Sequence, residues 1–120
     1  MNKKTLVLGA SLNSNRYSNY AIQRLVVNQF DAVAFGLKKG EVSGIEINTE
    51  LVPYKDIHTV TLYLNPTRQK EYYNYIVSLN PKRVIFNPGT ENPEFFEILK
   101  ENNIAFESAC TLVLLSTNQY

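Results

Sequence analysis

Thr5-Leu6-Val7-Leu8-Gly9-Ala10-Ser11-Leu12-Asn13-Ser14-Asn15-Arg16-Tyr17-Ser18 (residues 5–18) passes from a short apolar run, through a glycine, into a polar segment that opens a helix. The apolar run predicts a buried strand over Thr5 to Leu8, ending at Gly9. Beyond it, Ile22, Leu25 and Val26 recur at helical spacing between Asn19 and Gln29, with Phe30 a turn later. That pattern predicts a helix with one buried face. Strand, glycine turn and helix together are the repeating unit of a parallel sheet.

The unit recurs along the chain. Ala32 to Phe35, closed by Gly36, reads as a second strand; after a glycine-bearing turn at Lys39-Gly40, Ser43 to Asn48 reads as a third, and Thr59 to Leu64 as the next. Asn65-Pro66 and Asn92-Pro93 each place a capping side chain before a proline at the first helical position. The first of these helices carries Tyr72, Tyr73 and Ile76 and stops at Asn80-Pro81. The second follows a strand at Arg83 to Phe86, carries Phe95, Phe96 and Leu99, and ends near Asn102-Asn103. Ala105 to Glu107 predicts a last short strand, and Ser108 to Leu115 fits either helix or strand, with helix favoured. Alternation of this kind predicts a doubly wound, mostly parallel α/β sheet of about five strands with helices on both faces. A length of 120 residues fits a single domain over 1–120.

Composition narrows the function. Twelve bases against eleven acids give a net charge of +1, so no overall field draws in nucleic acid or an anionic membrane. The apolar run near the start breaks at Gly9, too early for an export signal, and no apolar stretch approaches the roughly 18–20 residues of a membrane span. The one cysteine, Cys110, excludes an intramolecular disulfide and a cysteine-rich zinc site. A cytoplasmic location is expected.

In a doubly wound sheet, ligands lie outside the carboxyl ends of the strands, where strand order reverses. The loop after the first strand belongs there. Gly9 lets the backbone turn, Ala10 and Ser11 are small enough for phosphate oxygens to approach the main chain, and the helix starting near Ser18 offers free N–H groups. Arg16 adds a charge that can fork onto phosphate. The loop has one glycine, so it is not the G-x-G-x-x-G dinucleotide fingerprint. At the end of the second strand stands Phe35-Gly36-Leu37-Lys38-Lys39, with no acid to meet ribose hydroxyls. Two lysines there favour a phosphorylated ribose, which both NADP and coenzyme A possess. On its residues alone the loop suits a phosphate-bearing adenine nucleotide, against a ligand-free Ser/Asn-rich connection.

The chain resembles the short coenzyme-A-binding domain family, stand-alone relatives of the coenzyme-A-binding domain of succinyl-coenzyme A synthetase. The resemblance rests on Val7-Leu8-Gly9-Ala10-Ser11, Arg16-Tyr17-Ser18, the Pro88-Gly89 turn after Val84-Ile85-Phe86, and Ser108-Ala109-Cys110. It implies a Rossmann-like fold and coenzyme A as ligand. It further implies that Gly9, Ala10, Ser11, Arg16, Tyr17 and Ser18 meet the phosphates and nearby groups, with Lys38 and Lys39 towards the adenosine. Leu64, Asn65, Pro66 and Arg68 would line the crevice, with Pro88-Gly89 as its floor. Where the family often has Asn-Pro after the second strand, this chain has Phe35-Gly36, and Asn87-Pro88 stands where a glutamine is frequent.

The remaining chemistry-bearing residues have plainer readings. His58 falls before the fourth strand, at the end of the sheet away from the crevice, so a phosphohistidine mechanism lacks its main part. Cys110 reads as a small buried residue rather than a thiol aimed at pantetheine. Tyr72 and Tyr73 should cover the sheet while Tyr75 faces solvent. Glu91, Glu94, Glu97 and Glu101 read as a solvated helix face rather than a metal site. Arg16, Lys38, Lys39 and Arg68 gather cations at the expected crevice. The expectation is therefore a module that binds coenzyme A or an acyl-coenzyme A as carrier, sensor or regulator, with no catalytic residue and no metal, and with room for a homodimer. The alternatives are an NADP-dependent reductase, one subunit of a coenzyme A ligase assembled with a partner chain, or a domain that has lost its ligand and serves an interaction.

Overall fold

Strand and helix alternate throughout residues 3–120, the part of the chain described by the computed structural model. Strand β1 (Thr5–Ala10) leads into helix α1 (Tyr17–Val27), β2 (Ala32–Gly36), the short strands β3 (Gly40–Val42) and β4 (Ile45–Asn48), and β5 (Thr59–Leu62). Then come α2 (Pro66–Gln69), a 3-10 turn (Lys70–Tyr72), α3 (Tyr73–Leu79), β6 (Arg83–Phe86), α4 (Pro93–Glu101), β7 (Ala105–Ser108) and α5 (Thr111–Ser116). The strands form one sheet in the order β3-β4-β2-β1-β5-β6-β7. Every pair is parallel except β3 with β4. The chain runs outward from β1 to β2 and β4, then returns to β5 on the other side, so strand order reverses between β1 and β5.

The doubly wound α/β class agrees with the sequence; the strand count does not. Seven strands stand where about five were expected. The segment read as one strand over 43–48 is the second arm of a hairpin. Ser43 (φ 51°) and Gly44 (φ 82°) form a two-residue turn with positive φ at both positions, and Glu41 faces Glu46 across it. The segment read as one helix over 66–79 is broken by the 3-10 turn, and Tyr72 (φ −108°, ψ 0°) is where it bends. The Asn65 side chain accepts the Arg68 N–H and that of Asn92 the Phe95 N–H, as the Asn-Pro pairs predict. Asn80, in the left-handed conformation at φ 47°, closes α3.

Alternation along the strands builds two cores. Leu6, Leu8, Val60, Leu62, Val84 and Phe86 pack under Tyr72, Ile76, Phe95 and Leu99 on one face. Val7, Ala34, Ile47 and Ile85 pack under Ile22, Leu25 and Leu115 on the other. This is why Leu6 to Leu8 in β1 and Val84 to Phe86 in β6 read as unbroken apolar runs: both faces of the strands are covered. Thr59 and Thr61 interrupt β5 on the α1/α5 side, where buried partners take up their hydroxyls. Thr61 Oγ1 lies 2.8 Å from Thr111 Oγ1 and accepts from Asn87 Nδ2 at 2.7 Å. Asn87 also donates to the Leu62 carbonyl (2.8 Å) and accepts the Thr111 N–H (2.9 Å), joining β5, β6 and α5 through one amide.

At the amino edge of the sheet, Lys3 Nζ and the Arg83 guanidinium both donate to the Tyr120 carbonyl, at 2.7 and 3.0 Å. The Tyr120 hydroxyl lies 2.5 Å from Thr5 Oγ1. His58 belongs to this edge, with Nδ1 2.7 Å from Thr59 Oγ1. Burial, followed by the charges of Arg83, Lys3 and Lys82, holds its imidazole below the ordinary range. No helix among the described residues is long and apolar enough to cross a membrane.

Candidate functional site

A crevice of about 960 Å³ opens at the carboxyl edge of the sheet, over the point where strand order reverses. Its walls are the loops that follow β1, β2, β5 and β6. Backbone sterics create the space. Gly9 has φ +97° and ends the regular pairing of β1, with a bulge between Leu8 and Ala10 against β2. A Cβ on Gly36 would stand 2.3 Å from the Ala10 carbonyl oxygen, so only glycine lets the end of β2 come this close to β1.

The first loop is held by its own short polar side chains. Ser11 Oγ accepts the Asn13 N–H (3.0 Å) and Asn13 Oδ1 the Asn15 N–H (2.9 Å). Buried Asn19 donates to the Ser11 carbonyl at 3.0 Å and accepts from Gln23 at 2.6 Å. Leu12 folds over Gly40, where an added Cβ would be 2.5 Å from Leu12 Cδ2. The Ser/Asn-rich stretch is thus an ordered scaffold. It delivers the chain to α1, whose first turn is capped by no side chain; Arg16, in extended conformation (φ −87°, ψ 142°), occupies the cap position. The start of α1 therefore presents N–H groups and the positive end of the helix dipole to the crevice mouth.

Of the residues named from sequence, the crevice brings together Gly9, Ala10, Ser11, Arg16, Tyr17 and Ser18 from the first loop, and Phe35, Gly36 and Lys38 from the end of β2. It also takes in Leu64, Asn65, Arg68, Pro88 and Gly89 from the far wall. Lys39 and Pro66 are not on the lining. Pro66 is drawn into the first turn of α2 by its role at the helix start, and Lys39 is exposed beyond the lining.

The crevice also has lining residues that the sequence did not reveal: Leu12, Asn13, Asn15, Leu37, Tyr63, Tyr72 and Thr90. Tyr72 and Phe35 meet edge to face (5.4 Å between centroids, 67° between planes), making an apolar base. Tyr63 turns its hydroxyl away from solvent, buried without a well-formed hydrogen bond, and burial pushes it up to about 12. The Thr61 and Thr111 hydroxyls close by only partly offset that effect.

Electrostatically the lining is one-sided. Among the described residues it contains Arg16, Lys38 and Arg68 and no carboxylate. The glutamates of the α4 region stay off the lining, although Glu91 reaches the main chain of its floor. Glu91 accepts the Gly89 N–H (2.9 Å), Glu94 the Tyr73 hydroxyl (3.0 Å), and Glu97 pairs with Lys100 (3.2 Å). No group of three or more metal-capable side chains occurs among the described residues. Cys110, partly buried, stands at the start of α5 and does not line the crevice. Tyr75 departs from expectation: it is half-buried, donates to the Val52 carbonyl at 2.6 Å, and is pushed up to about 12 by burial and then by Tyr54.

An open, apolar-based crevice with an uncapped helix start and three separated cations suits an elongated polyanion with an apolar portion. Coenzyme A has that constitution: a diphosphate, a ribose phosphate and a long neutral arm. The donors fit it, and no acid stands at the end of β2 to oppose a ribose phosphate.

Comparison with known proteins agrees with this geometry. A family model described as a CoA binding domain matches residues 3–116. A crystal structure of an uncharacterised protein is 51% identical, with TM-score 0.96, over 100% of this chain and 99% of the other. A Thermus thermophilus protein of 21% identity superposes with TM-score 0.87, over 99% of this chain and 91% of that one. A hypothetical protein from Pyrococcus horikoshii, 24% identical, gives 0.86 over 97% and 83%. These last two likenesses are of fold. No curated protein matches the chain. The chain belongs to the coenzyme-A-binding domain family.

Proposed function

We propose that this member of the coenzyme-A-binding domain family holds coenzyme A, or an acyl derivative, in the crevice between the β1 and β5 loops and acts as a carrier, sensor or regulatory module. The observation that carries the reading is the one-sided lining: Arg16, Lys38 and Arg68 with no carboxylate, around the uncapped start of α1. In this reading the diphosphate lies at Ala10, Ser11 and the α1 amides, with Arg16 across it. Lys38 meets the phosphorylated ribose beyond β2, with Lys39 adding to the local field. The neutral arm runs over Leu64 and Tyr72 towards Pro88 and Gly89, and Asn65, Pro66 and Arg68 shape the wall beside it. Among the described residues the lining contains no imidazole, thiol or carboxylate, and its titratable groups are Arg16, Lys38, Arg68 and the phenols of Tyr17, Tyr63 and Tyr72. A binding role needs no imidazole or carboxylate, the groups that most often serve as general acid and base. A cytoplasmic location is part of this reading, in keeping with the one cysteine of the sequence.

Isothermal titration of the purified chain with coenzyme A and, separately, with NADP tests the reading. Coenzyme A should bind, and Arg16→Ala should weaken it by about 10- to 100-fold through loss of a charge-assisted contact. Binding of NADP in preference to coenzyme A would replace this reading with a reductase. Co-purification with a nucleotide-binding subunit would favour a ligase subunit.

A further inference from the structure

We infer that Gln69, which does not line the crevice, sets the separation of the two loops forming its far wall and so acts as a positioning residue for the arm of the ligand. The inference rests on the coenzyme A reading for its ligand, and on the hydrogen bonding of one buried amide for its substance.

Gln69 is fully buried at the end of α2. Its Nε2 donates to the carbonyls of Leu64 and Thr90, both at 2.8 Å. Leu64 belongs to the loop after β5 and Thr90 to the loop after β6, and both residues line the crevice. Both protons of one planar group are thus spent on one carbonyl from each loop, which fixes the spacing between them. The other end of the amide is braced: Oε1 accepts from Asn92 Nδ2 at 2.9 Å. Asn92 also donates to the Tyr73 hydroxyl at 2.7 Å and caps α4 through Phe95. Rotation of the Gln69 amide would break every one of its contacts at once.

Two effects on the ligand follow. The wall keeps its width, because each loop is referred to the same rigid group. In addition, the Leu64 and Thr90 carbonyl oxygens are held towards the buried amide. Released, they would be free to turn their negative ends towards a crevice whose other polar groups favour anions. An apolar side chain of similar volume would strand both carbonyls and the Asn92 amide, so at this position stability and loop spacing depend on the same three bonds.

The effect is confined to one half of the ligand, which makes it testable. Coenzyme A reaches the far wall; adenosine 3′,5′-bisphosphate engages only the β1 and β2 side. Titration calorimetry with both compounds is carried out on the wild-type chain and on Gln69→Met, Gln69→Glu and Asn92→Ser, each checked for folding by circular dichroism. Asn92→Ser keeps a cap on α4 while removing the brace, so it carries the comparison if the Gln69 variants do not fold. The expected result is a loss of about tenfold in coenzyme A affinity for the Gln69 variants and a smaller loss for Asn92→Ser. Bisphosphate affinity stays within about twofold of wild type. Equal losses for both compounds would show a general loosening and overturn the inference, as would unchanged coenzyme A affinity in folded variants. If wild-type protein takes neither compound, the coenzyme A reading itself fails, a result distinct from any difference between variants.

Discussion

Gly36 and Ala10 approach so closely at the carboxyl edge of the sheet that a Cβ on the first would overlap the carbonyl oxygen of the second, at 2.3 Å. The contact joins β1 to β2 at the mouth of the crevice, where a side chain could be accommodated only by moving main chain. Gly36→Ala is therefore expected to destabilise the fold by about 1–3 kcal/mol. It should also weaken ligand binding, since the first loop starts at the displaced carbonyl. Urea denaturation checks this, and wild-type stability in the variant would mean that the strands part without cost.

Lys38 brings the charge to the lining at the end of β2, the position that meets a phosphorylated ribose in the proposed pose. Lys38→Ala should lower affinity for coenzyme A by about tenfold and leave dephospho-coenzyme A almost untouched. The lysine is exposed, so stability should change by less than about 0.5 kcal/mol. Equal losses for the two ligands would move the ribose phosphate elsewhere.

Asn87 serves three elements with one side chain, through Thr61 Oγ1, the Leu62 carbonyl and the Thr111 N–H. Removing it strands buried donors and acceptors around it. Asn87→Ala should cost about 2–4 kcal/mol, and Asn87→Asp a similar amount, because a carboxylate would set an acceptor against the Leu62 carbonyl. Thermal unfolding measures both; a loss below about 1 kcal/mol would show that water replaces the amide.

The Tyr63 and Tyr75 hydroxyls, raised by burial to about 12 in the folded chain against about 10 when unfolded, couple stability to alkaline pH. The folded state holds these protons more tightly, so the stability they confer is complete below about pH 10 and is lost as pH rises towards 12. Tyr63 contributes on the order of 2 kcal/mol; Tyr75, nearer solvent, contributes less. Tyr63→Phe should flatten the alkaline limb of a stability–pH curve and remove a late step from a tyrosinate absorbance titration. An unchanged limb would place the dependence on other groups.

Much of this architecture can be read from local chemistry. Asn65 and Asn92 cap as their proline neighbours predict, because capping depends on residues within one turn. The apolar runs of β1 and β6 announce burial on both faces. The Ser43-Gly44 turn lay in plain view as a dipeptide, but alternation through Ser43 to Asn48 resembled one continuous strand and hid it. Tyr63, Tyr72, Thr90 and Gln69 could not be found this way. Their roles arise from loops distant in sequence meeting over the reversal in strand order, and no spacing along the chain encodes that meeting. Asn13, Asn15 and Asn19 had a signal in the tendency of asparagine to bond nearby main chain, which would have turned a polar loop into a scaffold.

The β3–β4 hairpin places Glu41 opposite Glu46 on the outermost pair of strands, and β7, at the other margin, exposes Glu107. Like charges directly across a ladder cost a little stability. In return, a further strand arriving at the β3 margin would meet Glu41, whereas Glu107 on β7 is paired 3.7 Å from Arg83. That margin of the sheet is thereby guarded against growth from chain to chain, the route by which open parallel sheets aggregate while folding. Replacing Glu41 with an uncharged β-former would relieve the repulsion and stabilise the single molecule, yet leave a concentrated solution less able to stay dispersed.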